Sequence, residues 1–331
     1  MNAPLRIGVL GAARITPNAL LKPAGRVPEV TVTAVAARDP LRAKAFAGKH
    51  GIPRVVPDYA ALVADPDVDA IYNPLPNGLH AQWTERALAA GKHVLCEKPF
   101  AANADEARRV LAAQEGTGLV VLEAFHYRYH PLATRAIEIA REELGPIRRV
   151  DTSMCFPLPR FGDIRYQYPL AGGALMDAGC YAVHLLRQLG PGEPEVVAAR
   201  ALTLKRDPRV DRAMTVDFRF PGGATGQAVS SMWSRRLLGI SARVVGERGH
   251  LRVLNYVVPQ LFHRIVSTVD GKRRVEKAPG ETTYTYQLRA FAAAVRGEPT
   301  NLTPVTDSIA TMSLIDAAYR AAGLPVRGAT S

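Results

Sequence analysis

Two short stretches hold the residue types from which acid–base chemistry is built. Cys96-Glu97-Lys98-Pro99 sets an ammonium beside a carboxylate at the end of an apolar run. Further on, Gly172-Gly173-Ala174-Leu175-Met176-Asp177-Ala178-Gly179-Cys180-Tyr181-Ala182-Val183-His184 carries a carboxylate, a phenol and an imidazole. Asp177, Tyr181 and His184 recur at i, i+4 and i+7, so on a helix they project from one face. Taking hydride from an alcohol requires the hydroxyl proton to leave, and a free tyrosine, with pKa ~10, is a poor base at neutral pH. A nearby ammonium such as Lys98 favours the phenolate. In reduction the same pair donates a proton to a carbonyl and polarises it. Asp177 is suited to orienting Lys98 or a substrate hydroxyl. Cys96, Cys155 and Cys180 lie far apart, with no C-x-x-C and no histidine at ligand spacing, so no metal and no disulfide framework is expected.

A second chemistry is written near the start. Gly8-Val9-Leu10-Gly11-Ala12-Ala13-Arg14-Ile15 puts a small-residue turn between a first strand and a helix start, where backbone N–H groups can hold a pyrophosphate. The frame G-x-G-x-x-G begun at Gly11 keeps only its first glycine, with Ala13 and Thr16 in the other two places. NAD binders place an Asp or Glu at the end of the second strand to accept from the ribose 2′-hydroxyl. Here the chain reads Val35-Ala36-Ala37-Arg38-Asp39, with Arg42 one turn on, so Ala37 fills the acidic slot. Guanidinium groups suit a 2′-phosphate, which favours NADP(H) over NAD(H). In the competing reading Arg38 and Arg42 are solvated helix-start residues and Asp39 is an N-cap.

The elements that must position these residues fall into two halves. The chain has 331 residues, against about 150 per domain. The first half alternates apolar strands (Leu5–Leu10, Val30–Ala37, Ala70–Tyr72, His93–Cys96, Leu119–Leu122) with helices over Pro40–His50, Leu79–Ala90 and Asp105–Gln114, the last capped from Asn103 or Asp105. Continuous apolar strands predict a parallel sheet covered on both faces. The second half begins with a helix over Pro131–Leu144 and a strand over Arg148–Phe156. An irregular Pro-rich stretch runs on to Gly173, and its segment Phe156–Tyr168, with Pro157, Pro159, Arg160 and Arg165, is placed beside a substrate pocket; then comes a helix over Leu175–Leu189. From Glu195 to Glu276 strands are joined by tight turns, Asp270-Gly271 being a strong hairpin signal. Helices over Tyr284–Arg296 and Val305–Ala322 end the reading. The fold class is thus α/β followed by α+β: a doubly wound Rossmann sheet over residues 1–125, then a mostly antiparallel sheet over 126–331. Helices on one face of that second sheet leave an apolar face, which predicts a homo-oligomer.

Composition narrows the partners. Apolar residues make up 47% and charged residues 22%, as in ordinary globular proteins. The net charge of +12 is spread over short basic clusters without a nucleic-acid-binding module, so a phosphate-bearing small molecule is the expected anion rather than DNA or RNA. No apolar stretch is long enough to span a membrane. The first residues lack a signal peptide's order, and the sparse cysteines suit a reducing compartment, so a cytoplasmic location is expected.

In these motifs the sequence resembles the Gfo/Idh/MocA family of oxidoreductases. The resemblance is carried in order by Gly-Val-Leu-Gly-Ala-Ala-Arg (8–14), Glu-Lys-Pro (97–99), Glu-Ala-Phe-His-Tyr-Arg-Tyr-His-Pro (123–131) and Gly-Gly-Ala-Leu-Met-Asp-Ala-Gly-Cys-Tyr (172–181), and it covers essentially the whole chain. It implies hydride transfer between nicotinamide C4 and a carbinol or carbonyl carbon of a sugar, cyclitol or diol. Lys98 matches the family's catalytic lysine, followed by a cis bond to Pro99. Asp177 matches its acidic position, and Tyr181 its proton-transfer group in the dihydrodiol and glucose–fructose branches. His184 is then a substrate-side or structural residue. The resemblance also implies cofactor contacts from Gly11, Ala12, Ala13, Arg14, Ile15, Arg38, Asp39 and Arg42. Further cofactor contacts come from Pro74, Leu75, Asn77 and His80 in the loop after the fourth strand, and from Glu97 and Lys98. Lys98, Arg128, Asp177, Tyr181 and His184 are left to the substrate. Two alternatives stand beside this reading: a ketoreductase acting on a nucleotide-linked keto-sugar, and a dinucleotide-binding sensor without turnover.

Overall fold

A computed structural model describes residues 3–328. Two compact units divide the chain: Met1–Tyr129 with Tyr284–Ile309, and His130–Thr283 with Ala310–Ser331. The first unit therefore runs past the expected break at 125/126, and it takes back residues 284–309 from the stretch read as the second domain.

In the first unit β1 (Leu5–Leu10), β2 (Val30–Ala36), β3 (Arg54–Val55), β4 (Ala70–Asn73), β5 (His93–Cys96) and β6 (Val121–Glu123) form a sheet in the order β3-β2-β1-β4-β5-β6. Every neighbouring pair is parallel. Strand order reverses beside β1, which opens a crevice at the carboxyl ends of β1 and β4. The helices are α1 (Lys22–Ala24), α2 (Pro40–His50), α3 (Tyr59–Ala64), α4 (His80–Ala89) and α5 (Ala104–Gln114). Asn103 caps α5 by accepting from the Glu106 N–H, as its side-chain chemistry predicts. The helix expected right after the Gly11 turn begins later, at Pro17, as a π turn (Pro17–Leu21) leading into α1. The core joins Ile7, Val9, Val35, Tyr72, Leu95 and Leu122 to Leu288, Phe291 and Ala292. These last three belong to the late helix over residues 283–295, and their i, i+3, i+4 spacing gives it one apolar face for this core.

In the second unit α6 (Pro131–Glu138) continues as a π turn (Ile139–Glu143), so the single helix expected over 131–144 changes type in its last turn. The strands are β7 (Ile147–Cys155), β8 (Glu195–Thr203), β9 (Asp211–Arg219), β10 (Thr225–Ser231), β11 (Gly239–Gly246), β12 (Gly249–Leu254), β13 (Arg264–Val269) and β14 (Lys272–Glu276). They form a sheet in the order β14-β13-β12-β11-β7-β10-β9-β8. Of its pairs, β7 with β10 is parallel and the rest are antiparallel. Asp270 and Gly271, at φ 48° and 76°, make the expected two-residue turn between β13 and β14. Between β7 and β8 a π turn (Leu175–Gly179) leads into α7 (Cys180–Leu189), which lies against β7 and β10. A Cβ on Gly179 would stand 3.0 Å from Ser230 Oγ, so the glycine lets this turn approach β10 closely. After α8 (Thr283–Val295), α9 (Val305–Ala321) ends within the second unit.

The sheet has one side turned from the helices. Ala228 and Ser230 are buried on the helix side of β10, while Gln227 and Val229 alternate to the other side. That side mixes exposed apolar residues, Leu202, Leu254 and Val275 among them, with charged and polar rows. Gln227 donates to Asp217 at 2.7 Å, Arg200 pairs with Asp217 at 2.8 Å, and Arg149 pairs with Asp151 at 2.8 Å.

Candidate active site

At the carboxyl end of β1, Gly11 takes φ +83°, and its N–H donates to the Ala36 carbonyl at 2.6 Å. A Cβ here would sit 3.2 Å from Leu75 Cδ2, so this one retained glycine serves both the turn and the neighbouring loop. Ala12 and Ala13 are half-buried; Arg14 and Ile15 are exposed. At the end of β2, Ala37 is buried and Arg38 is exposed. Arg42 reaches back from α2, donating from Nη2 to the Ala12 carbonyl at 3.0 Å, which joins it to the Gly11 turn. The Asp39 carboxylate accepts from the Leu41 and Arg42 N–H groups and caps α2, with Pro40 in the first turn.

The loops after β4 and β5 are tied together by His80. This ring is 1% exposed, with Nδ1 2.7 Å from the Pro99 carbonyl and Nε2 2.7 Å from the Leu75 carbonyl. The two carbonyls favour the charged ring. Burial opposes them more strongly, helped by the Lys98 ammonium, and the pKa falls to about 4. Pro74 and Leu75 are buried, and Asn77 is half-buried in a 3₁₀ turn. The Lys98–Pro99 bond is cis. Glu97, 8% exposed, accepts the Tyr72 hydroxyl at 2.8 Å. His126, stacked 4.0 Å from Tyr284, is pushed down to about 3 by burial and by the same Lys98 charge. The Lys98 charge thus lowers the pKa of both rings and would stabilise an added negative charge beside it. The Arg128 Nε–H is buried without a hydrogen-bond partner. Such an orphaned donor suits an oxygen-bearing ligand.

In the second unit Asp177 and Tyr181 are 8% and 5% exposed, whereas His184 is fully enclosed at 0%. The Asp177 N–H donates to the Gly173 carbonyl at 3.0 Å, and its carboxylate lies 3.6 Å from Arg165 Nε. Arg165 also pairs with Asp163 at 3.1 Å. The irregular stretch thereby delivers a guanidinium to the start of the helix. Among the described residues no group of three His, Cys, Asp or Glu is placed to hold a metal ion.

Residues 5–125 match the family described as "Oxidoreductase family, NAD-binding Rossmann fold", and residues 135–252 match the "GFO/IDH/MocA C-terminal domain". A D-xylose 1-dehydrogenase (NADP(+)) from Haloferax volcanii is 38% identical over 319 residues, 96% of this chain and 97% of that one. This chain belongs to the Gfo/Idh/MocA family. Among solved structures, a 3-ketoreductase from Actinomadura kijaniata in complex with NADP and TDP-benzene matches with TM-score 0.87 at 32% identity, over 96% of this chain and 97% of that one. An aldose-aldose oxidoreductase from Caulobacter crescentus complexed with glycerol also matches at TM-score 0.87, with 28% identity over 97% of this chain and 98% of that one.

Within this Gfo/Idh/MocA fold the structure sorts the residues read from sequence. The Gly11 turn, Arg38, Arg42 and the loop at Pro74–Asn77 gather at one edge of the first sheet, where the switch in strand order opens its crevice. Two of the cofactor candidates already meet groups of the protein: Asp39 Oδ1 caps a helix, and both His80 nitrogens face backbone carbonyls. His184, read as a substrate-side or structural residue, is wholly enclosed. The helix expected over 175–189 starts with a π turn, so Asp177 and Tyr181 do not share one α-helical register. Sequence reasoning missed the stack of His126 on Tyr284 and the Asp177–Arg165 pair. Arg165 was visible as a cation in a Pro-rich stretch, but nothing local marked its partner.

Proposed function

We propose that this protein is an NADP(H)-dependent oxidoreductase acting on the carbinol or carbonyl carbon of a sugar, with an aldose as the first substrate to try. The observation that carries the reading is the crevice edge of the first unit. A positive-φ Gly11 turn meets exposed Arg38 and an Arg42 already tied to that turn, and Ala37 stands at the end of β2 where an acidic residue would take a ribose 2′-hydroxyl. These residues fit a dinucleotide bearing a 2′-phosphate. The Gly11–Ile15 turn would hold the pyrophosphate and Arg38 with Arg42 the 2′-phosphate. When bound, the nicotinamide supplies or accepts hydride.

The remaining chemistry belongs to the chain. In oxidation Tyr181 takes the substrate hydroxyl proton, and in reduction it returns it. The Lys98 ammonium favours the phenolate over the phenol and polarises the substrate oxygen. Asp177, held by Arg165, orients a substrate hydroxyl, and Arg128 gives its unpartnered N–H to another. Support comes from the xylose dehydrogenase relative and the aldose-aldose oxidoreductase structure.

A panel of aldoses and polyols led by D-xylose, followed through NADPH fluorescence, tests the reading. NADP⁺-dependent turnover of at least one aldose is expected. Nucleotide-linked sugars belong on the same panel, because the Actinomadura enzyme with its TDP ligand favours a second reading as a nucleotide-sugar ketoreductase. Turnover confined to them would replace the free-sugar assignment. No turnover of any member with NADP(H) bound would leave the sensor reading standing.

A homo-oligomer joined through the sheet of the second unit is also part of the proposal. It rests on the exposed Leu202, Leu254 and Val275 of the face turned from the helices, which a second copy would cover. Light scattering at micromolar concentration is expected to give a multiple of 35.7 kDa, and a monomer mass would remove this part. A cytoplasmic location is proposed on the three buried, unbridged cysteines.

A further inference from the structure

Arg327 and Asp211 form an ion pair at 2.8 Å with both side chains fully buried. Arg327 lies past the end of α9, and Asp211 opens β9. Their hydrogen bonds converge on one short turn. Asp211 Oδ2 accepts from the Leu175 N–H at 2.7 Å, and Oδ1 accepts from the Tyr319 hydroxyl at 2.9 Å and from Arg327 Nη2 at 2.8 Å. Arg327 Nε donates to the Gly172 carbonyl at 3.0 Å, and Nη1 donates to the Pro325 carbonyl at 2.8 Å. The guanidinium also lies over the Tyr319 ring, 3.9 Å from its centroid. One side chain therefore grips the turn on both sides: directly at Gly172, and through Asp211 at Leu175.

The two glycines of the turn have their reason here. Gly173 takes φ +150°, and a Cβ on it would stand 2.2 Å from Asp211 Oδ1. A Cβ on Gly172 would stand 2.6 Å from the Arg165 carbonyl oxygen. The backbone is thus pressed between the ion pair and the segment that carries Arg165, the partner of Asp177. The Gly173 carbonyl then receives the Asp177 N–H at 3.0 Å. Where this turn sits decides where Asp177 starts and how the following helix presents Tyr181.

We propose that Arg327 is a positioning residue for the reaction, acting through Asp211 and the Gly172-Gly173 turn on Asp177 and Tyr181. The proposal rests on the acid–base roles given to those two residues under the proposed function. Arg327 touches neither of the ligands proposed above, so its effect must appear in the chemical step. A misplacement of about 1 Å can cost on the order of a hundredfold in rate. Lysine keeps the charge but cannot aim three donors at Asp211, Gly172 and Pro325 from one plane.

The test uses Arg327→Lys and Tyr319→Phe in the full chain, with D-xylose or whichever sugar of the panel turns over fastest. Circular dichroism and melting establish that each variant is folded at the assay temperature. For Arg327→Lys, kcat is expected to fall about ten- to a hundredfold, with sugar KM and NADPH dissociation constant changed little. Tyr319→Phe keeps the ion pair and loses one bond to Asp211, so a smaller fall in kcat with the same split is expected. In a Tyr181→Phe background, Arg327→Lys is expected to add little. Folded variants with wild-type kcat would overturn the proposal and leave the pair a clasp for stability alone. So would a loss that persists undiminished in the Tyr181→Phe background. If Arg327→Lys does not fold, Tyr319→Phe decides on the same criteria. Failure of the underlying reading looks different: Tyr181→Phe alone would then keep its turnover, and both claims would fall.

Discussion

Tyr181→Phe is expected to lower turnover by about 10²- to 10⁴-fold, the usual contribution of a general acid–base group, while leaving NADPH affinity near its original value. Lys98→Met is expected to do comparable damage, because it removes the charge that favours the phenolate. The two side chains would act as a unit, so the double variant should be little worse than the poorer single one. The rate of sugar oxidation should rise with pH through one ionisation. That rise should move upward in Lys98→Met. His184 is the competing proton carrier from the same helix. Its complete burial argues against it, and His184→Ala with lost turnover beside an active Tyr181→Phe would reverse the assignment.

The second large effect is in cofactor choice. NADPH is expected to bind about ten- to a hundredfold more tightly than NADH, since a charge-assisted contact to phosphate contributes ~1.5–3 kcal/mol. Arg38→Ala should remove most of that difference by weakening NADPH and sparing NADH. Arg42→Ala should weaken both cofactors as well, because Arg42 also holds the Ala12 carbonyl of the turn. Titration of nicotinamide fluorescence separates the cases, and equal affinities in the unmodified protein would refute the 2′-phosphate reading.

What was legible in the chain follows the range over which each signal acts. Apolar runs and small-residue turns are local, so the parallel sheet of the first unit, the Gly11 turn and the Asp270-Gly271 hairpin could be read directly. The two-residue β3 carries no periodicity to detect. The late helix α8 shows its apolar face through Leu288, Phe291 and Ala292, but nothing in that spacing says which sheet it covers. The π turn at Leu175–Gly179 goes with a close approach to Ser230, a contact between residues far apart in the chain. His80 read as a ligand residue because a histidine in a loop offers two ring nitrogens. The fold had already given both to the Pro99 and Leu75 carbonyls. The Gly172-Gly173 pair was plain in the sequence, while its cause was not: Asp211 and Arg327, the pair it packs against, are 116 positions apart.

The proposal that this Gfo/Idh/MocA protein moves hydride between a sugar carbon and a nicotinamide has one direct measurement. Sugars deuterated at every carbon-bound position, D-xylose first, are incubated with the enzyme and NADP⁺, and the reduced cofactor is weighed by mass spectrometry. The expected result is NADPH carrying one deuterium, formed by the unmodified protein and nearly absent with Tyr181→Phe. Reduced cofactor without the label, or none from any sugar although NADP⁺ is bound, would contradict the account.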